Sequence, residues 1–244
     1  MEKVKPRGIL FDLDDTIITF GVVATPVWKQ VCDKYAEKLQ PFTGRQLYDA
    51  IAKYSRWYWS DPLRHRTGRL DMTAARHSVV LGAFASLSIK NGMIARQMAD
   101  EYIEEHGKKL AFFPGAEQTL HTLKEQGIPI VLVTNGDKRM QRMKVERFGL
   151  ERFFDKIFIE GELGYGKPEP RVYFDAAASL GLTPERSWIV GDNLEWEVAV
   201  PQRLGMYTVW NDAHKTGLPN DCTIQPHRMV ESIAELLPIR QNVA

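Results

Sequence analysis

The stretch FDLDDT, Phe11 to Thr16, places three carboxylates within four positions, directly behind the apolar Ile9 and Leu10. Asp12 and Asp14 are separated by one residue, so at the end of an extended strand they point the same way while Leu13 turns to the opposite side. At about 4 Å and an effective dielectric near 20, such a pair costs on the order of 4 kcal/mol when both members are ionised. A cation or a shared proton must compensate. Other short stretches supply complementary groups. VLVTNG ends in Thr134, Asn135 and Gly136, offering a hydroxyl, an amide and backbone N–H groups at the entry to a helix, which suits an anion. YGKPEP contributes Lys167 from a turn that Pro168 keeps from continuing as helix. WIVGDN adds Asp192, a further carboxylate behind an apolar run. Hard oxygen ligands beside an anion site favour magnesium, which keeps several waters and takes one or two carboxylates plus a substrate phosphate.

For these groups to meet, the elements behind them must end on one edge. RGILFDL, IPIVLVTN, KIFIEGEL, SWIVGDN and GMYTVWN are short runs rich in Ile, Val and aromatics and read as buried strands. The pieces between them, GAEQTLHTLKEQG, KRMQRMKVERFGL, PRVYFDAAASLG and LEWEVAVPQRLG, carry apolar residues at helical spacing. Gly127, Gly149, Gly181 and Gly205 stand where C-terminal caps would. Alternating strand and helix predicts an α/β fold, a Rossmann-like doubly wound parallel sheet whose strand ends line up where ligands bind in such sheets. From about Phe20 to Leu110 the alternation gives way to four helical segments, TPVWKQVCDKYAEKL, TGRQLYDAIAKYSRWYW, DMTAARHSVVLGAFASL and GMIARQMADEYIEEHGKK. The expectation is a core of residues 1–19 and 111–244 with an all-helical cap, 20–110, inserted after the first strand and able to act as a lid. HRMVESIAELLP reads as a closing helix.

Taken in order, DLDDT at Asp12–Thr16, VTN at Val133–Asn135, GKP at Gly166–Pro168 and GDNLEWE at Gly191–Glu197 resemble the four motifs of the haloacid dehalogenase superfamily, in its phosphatase branch with a helical cap. As a set the motifs are specific, and the resemblance spans about the whole chain. It implies that Asp12 attacks a phosphoryl group to form an aspartyl-phosphate that water then hydrolyses. Asp14 would protonate the leaving alkoxide and then activate the water, its negative neighbours raising its proton affinity. Thr134 and the backbone near Asn135, with Lys167, would bind the phosphoryl oxygens, Lys167 also offsetting charge on Asp12. Asp12, Asp192 and the backbone carbonyl of Asp14 would hold Mg2+. Members of the family commonly carry Asp where this chain has Glu197, which reaches one methylene further, so Glu197 is assigned a place behind the direct metal ligands or bridged to the metal by water. Asp15 receives no role, and Thr16 is read as capping or hydrogen-bonding the turn that leaves the strand.

The implied activity is magnesium-dependent hydrolysis of a small phosphorylated metabolite: a nucleotide, a sugar phosphate or a phosphoglycolate-like acid. A phosphomutase would keep the same residues. A 2-haloacid dehalogenase of the family would lack the second Asp and need no metal, and a binding-only relative would have lost Asp12 or Asp14. RWYWSDPLRHRTGR, with Trp57 and Trp59 among Arg56, Arg64, His65, Arg66 and Arg69, either lines a substrate pocket or packs helices, the second being the commoner use of such spacing. A formal charge of +1 over 244 residues, with both signs interleaved, predicts no nucleic-acid or membrane partner. The short apolar segment of MEKVKPRGILFDLDDT fits neither a signal peptide nor a membrane span, which points to the cytoplasm. Cys32 and Cys222 are far apart, without a CxxC partner, and read as buried free thiols. His77, His106, His121, His214 and His227 have no clustered partner in sequence and read as structural or exposed.

Overall fold

Ile9, Leu10 and Phe11 are fully buried and form β1 (Ile9–Phe11), the strand from which the sheet is built outward. The structure, a computed structural model, describes residues 6–237. The other strands are β2 (Ile130–Thr134), β3 (Lys156–Ile159), β4 (Trp188–Gly191), β5 (Tyr207–Asn211) and β6 (Arg228–Val230). They form one six-stranded sheet in the order β3-β2-β1-β4-β5-β6, every pair parallel. Ile9 is in register with Ile130 on one side and Trp188 on the other. The chain therefore winds one way from β1 and then the other, and the crevice at the C-terminal ends of β1 and β4 is the switch point where ligands bind in doubly wound sheets.

Two compact units share the chain: one runs through Thr19 and resumes at Ala111, and the other is Phe20–Leu110. The second is all helical, with α1 (Gly21–Ala36), α2 (Gly44–Ser60), α3 (Pro62–Leu70), α4 (Met72–Ser86) and α5 (Gly92–Lys109). α3 is absent from the sequence reading, which assigned four helices here. Asp61 accepts the N–H of Arg64 and Pro62 supplies a preset first turn, so the polar stretch after Trp59 starts a helix of its own despite its thin apolar content. The unit's core gathers Val27, Val31, Leu47, Val79, Phe84 and Met98, with Trp28 stacked 3.8 Å from Tyr102. Trp57 stands 51% exposed, its ring covered by the Arg64 guanidinium at 4.0 Å, and Trp59 is packed edge-on by His65. Cys32 is buried here, and burial pushes its thiol up to about 12. Cys222, in the other unit, is only partly covered, contrary to expectation, because the 212–227 segment around it lacks regular structure.

In the sheet unit the connections are α6 (Ala116–Glu125), α7 (Lys138–Arg147), α8 (Glu160–Leu163), α9 (Pro170–Ser179) and α10 (Val200–Arg203), the last preceded by a π-helical turn, Leu194–Ala199. Gly127, Gly149, Gly181 and Gly205 all take the left-handed conformation at helix ends. Two sequence assignments need correction. KIFIEGEL is strand only to Ile159, after which Glu160 opens a helical turn. HRMVESIAELLP is no helix as far as Leu237, Pro238 lying outside the described residues: Arg228–Val230 pairs with Val209–Asn211, and Ile233–Leu236 makes a single 3-10 turn. Val230, Ile233 and Leu236 are buried at a spacing of three, so strand plus turn imitated helical periodicity, and the Ser232–Glu235 capping box strengthened the imitation. Among the described residues no helix is long and apolar enough to cross a membrane.

Candidate active site

β1 runs one residue past its last strand position, Asp12 N–H donating to Val190 O at 2.9 Å, and this fixes Asp12 beside the end of β4. Leu13 then turns into the core, and the N–H groups of Ile17 and Ile18 both return to its carbonyl, so the chain folds over itself in a tight loop with Asp15 left-handed at φ 59°. Inside that loop Thr16, buried, donates from its hydroxyl to Asp12 Oδ2 at 3.0 Å. Thr16 does more than shape the turn: it holds the carboxylate that the strand delivers.

Lys167 comes from 155 residues further on and places its ammonium 2.6 Å from Asp12 Oδ1. The same Nζ lies 2.8 Å from Glu197 Oε1, a contact ion pair. Asn135 sets the Lys167 loop: its amide donates to Lys167 O and accepts Lys167 N–H at 2.9 Å. The side chain of Asn135 is thus spent as a clamp, and what it can offer an anion is its backbone. Thr134 is buried at the end of β2, its hydroxyl bonded by Gln141 Nε2. Glu197 is fully buried in the π-helical turn, where Asn193 N–H donates to its Oε2 at 2.9 Å. Gly191 permits this: a Cβ there would lie 2.1 Å from Glu197 Cγ and 3.0 Å from Asp12 Cβ. Glu197 therefore backs Lys167 directly.

Asp14 faces a different cation. Lys144, buried on α7, brings Nζ to 2.8 and 2.7 Å from the two carboxylate oxygens, and Gln141 Nε2 lies 3.2 Å from Oδ2. The sequence reading balanced Asp14 with magnesium and Lys167, and the structure adds Lys144 as its direct cationic partner. Gln141 and Lys144 were missed, although a spacing of three on the helix that follows VTNG was a usable sign that they share a face. Asp15 meets His214 Nε2 at 3.7 Å. His77 pairs with Asp100, and the N–H of Thr208 donates to His227 Nδ1, so neither ring is without a partner.

Charge around Asp12 does not balance. Burial holds its carboxyl above the ordinary value, Lys167 opposing and Asp14 adding repulsion. Burial, then Asp12 and Glu197, push Asp192 up to about 9. Glu197 is raised to about 7, by burial first and against the pull of Lys167. Burial disfavours the charge on Lys167, yet Asp12 and Glu197 outweigh it and hold its proton more tightly than usual. Lys167 thus contacts two of these carboxylates, Asp12 and Glu197, while Asp192 is buried beside them. Among the described residues no three His, Cys, Asp or Glu side chains form a ready-made metal cluster. A cation that draws on two carboxylates and takes the rest of its shell from backbone oxygen, water and substrate suits this donor set, and magnesium binds in that way.

A haloacid dehalogenase-like hydrolase family model matches residues 6–205, and the chain belongs to that family. Along nearly its whole length it is similar to known phosphatases. It is 29% identical to the phosphoserine phosphatase of Thermus thermophilus, covering 93% of this chain and 96% of that one. It is 31% identical to the human N-acylneuraminate-9-phosphatase, covering 97% and 94%. The structure superposes on that of YfnB, a HAD-hydrolase from Bacillus subtilis solved bound to magnesium, with TM-score 0.72 at 22% identity over 96% of this chain and 97% of that one. The protein is a HAD-like phosphatase, a hydrolase of phosphomonoesters.

Proposed function

We propose that the protein hydrolyses a small phosphorylated metabolite with magnesium, through an aspartyl-phosphate formed on Asp12. The observation that carries this reading is the buried Asp12 carboxylate, held at one oxygen by Lys167 and at the other by Thr16, at the switch point of the sheet. A carboxylate so oriented is a preorganised nucleophile. An Asp12 oxygen attacks phosphorus, the ester P–O bond breaks, and the leaving oxygen takes its proton from Asp14. Water then attacks the phosphorus of the acyl phosphate and gives its proton to Asp14, so that phosphate leaves and Asp12 is restored. Thr134 and the backbone N–H of Asn135 hold phosphoryl oxygens, and Lys167 balances the charge that Asp12 shares with them. Asp12, Asp192 and the Asp14 carbonyl would hold magnesium, which when bound neutralises phosphoryl charge. Glu197 serves by keeping Lys167 in place.

The two phosphatase relatives are named for phosphoserine and for N-acylneuraminate 9-phosphate. Those leaving groups differ, which supports a shared phosphoryl chemistry and leaves the ester class open. Both cysteines are free, which supports a cytoplasmic setting. Purified protein is to be screened against phosphorylated amino acids, sugars, nucleotides and hydroxy acids, with phosphate release measured with and without magnesium. Magnesium-dependent release from at least one class, lost by about a thousandfold or more in Asp12→Asn, is the expected result. No release from any class by folded protein, or undiminished release by Asp12→Asn, overturns the proposal.

A further inference from the structure

Among the described residues the sheet unit buries two lysines, Lys144 and Lys167, and each is paired with one carboxylate of the Asp12-x-Asp14 pair. Lys167 has its place in the reaction proposed above. Lys144 has none yet. An ion pair with one partner buried and the other only partly exposed is a poor way to gain stability, since well-packed apolar residues of similar volume do as well or better. The geometry of Lys144 is that of an orienting device. Its Nζ reaches both oxygens of a carboxylate 130 residues away in sequence. One turn earlier on the same face, Gln141 touches Asp14 Oδ2 and also bonds Thr134 Oγ1 and, at 3.0 Å, Asn135 O. α7 is itself anchored at its start, where Asp137 accepts Met140 N–H at 2.8 Å. One helical face therefore ties Asp14 to the end of β2, where phosphoryl oxygens are to be held.

We infer that Lys144, assisted by Gln141, is a positioning residue that aims the Asp14 carboxylate at the leaving oxygen. The assignment rests on the aspartyl-phosphate reading above, and it carries a consequence that a merely structural role lacks. kcat/KM reports events up to departure of the leaving group. An alkoxide must be protonated as it leaves, whereas p-nitrophenolate needs no proton. A badly aimed Asp14 therefore slows the first step for alkyl phosphates and spares it for p-nitrophenyl phosphate. With either ester it also slows hydrolysis of the acyl phosphate, where Asp14 takes a proton from water.

The test compares wild type, Lys144→Met, Lys144→Arg and Gln141→Leu on p-nitrophenyl phosphate and on an alkyl phosphate that the metabolite screen shows to be turned over. In Lys144→Met, kcat/KM should fall about a hundredfold on the alkyl ester, within the usual range for a proton-transfer group, and only about threefold on the aryl ester. Mixing that variant with the aryl ester should release a burst of p-nitrophenolate close to one equivalent of enzyme. Lys144→Arg should recover part of the alkyl-ester rate, and Gln141→Leu should show the same selectivity at smaller size, which keeps the test open if Lys144→Met fails to fold. Equal losses on both esters, or no loss on either, overturn the assignment alone. A metabolite screen in which folded wild-type protein turns over no phosphate ester overturns the phosphatase reading and this assignment with it.

Discussion

Asp192→Asn removes a carboxyl that the folded pocket keeps protonated at a cost. In the folded protein the Asp192 carboxyl sits at about 9, against an ordinary 3.8, because it is buried beside Asp12 and Glu197. Below the ordinary value both folded and unfolded chains carry the proton and the group contributes nothing. Above it the unfolded chain ionises while the folded one keeps its proton, so stability falls as pH rises, until the folded carboxyl itself ionises near 9. At full effect each pH unit in that interval costs about 1.4 kcal/mol. Between pH 5 and pH 8 the wild type should lose on the order of 4 kcal/mol relative to Asp192→Asn, which has no charge to suppress. For a chain of this size that is roughly 10 °C in Tm. Thermal unfolding of both proteins in EDTA at the two pH values measures the gap directly. Adding magnesium at a hundredfold excess over its dissociation constant should return about 2.7 kcal/mol to the wild type and little to the variant. A gap that stays constant from pH 5 to pH 8 would refute the claim that the pocket carries surplus negative charge.

Gly191→Ala should disrupt the same pocket sterically, since the new Cβ would press on Glu197 and Asp12. A loss of about 1–3 kcal/mol in urea unfolding and of most turnover is expected. Thr16→Val keeps the shape and removes the hydroxyl that Asp12 Oδ2 accepts from, so steady-state kinetics should show kcat lower by about tenfold or more with KM little changed. Lys167→Met strands Asp12 and Glu197 in the interior without their cation and should cost about 3–5 kcal/mol in urea unfolding. Adding Glu197→Gln should restore part of that stability and none of the activity.

Much of the fold could be read along the chain, because the signals that make a buried parallel strand are local. Ile9–Phe11, Ile130–Thr134, Trp188–Gly191 and Tyr207–Asn211 are dense β-branched or aromatic runs bounded by breakers, and each is a strand of the sheet. Arg228–Val230 escaped notice because it is too short to show a period and is a strand only by virtue of β5 beside it. α3 escaped because its start lies in one side chain, Asp61, bonding one N–H, while its sequence is mostly polar.

The chemistry divides along a similar line. The sequence by itself determined which groups stand at the strand ends, Asp12, Asp14, Thr134 and Asp192, since strand, turn and breaker are properties of neighbours in the chain. Only the tertiary structure decided their partners. Lys167 serves Asp12 and Glu197, Lys144 serves Asp14, and Asn135 turns its amide on the Lys167 backbone and away from an anion. Thr16, read as a turn residue, became the second support of Asp12 because the loop after β1 folds back on Leu13. The physical reason is that a buried charge takes its partner from whatever packing brings within about 3 Å, and neither sequence separation nor residue type predicts that distance.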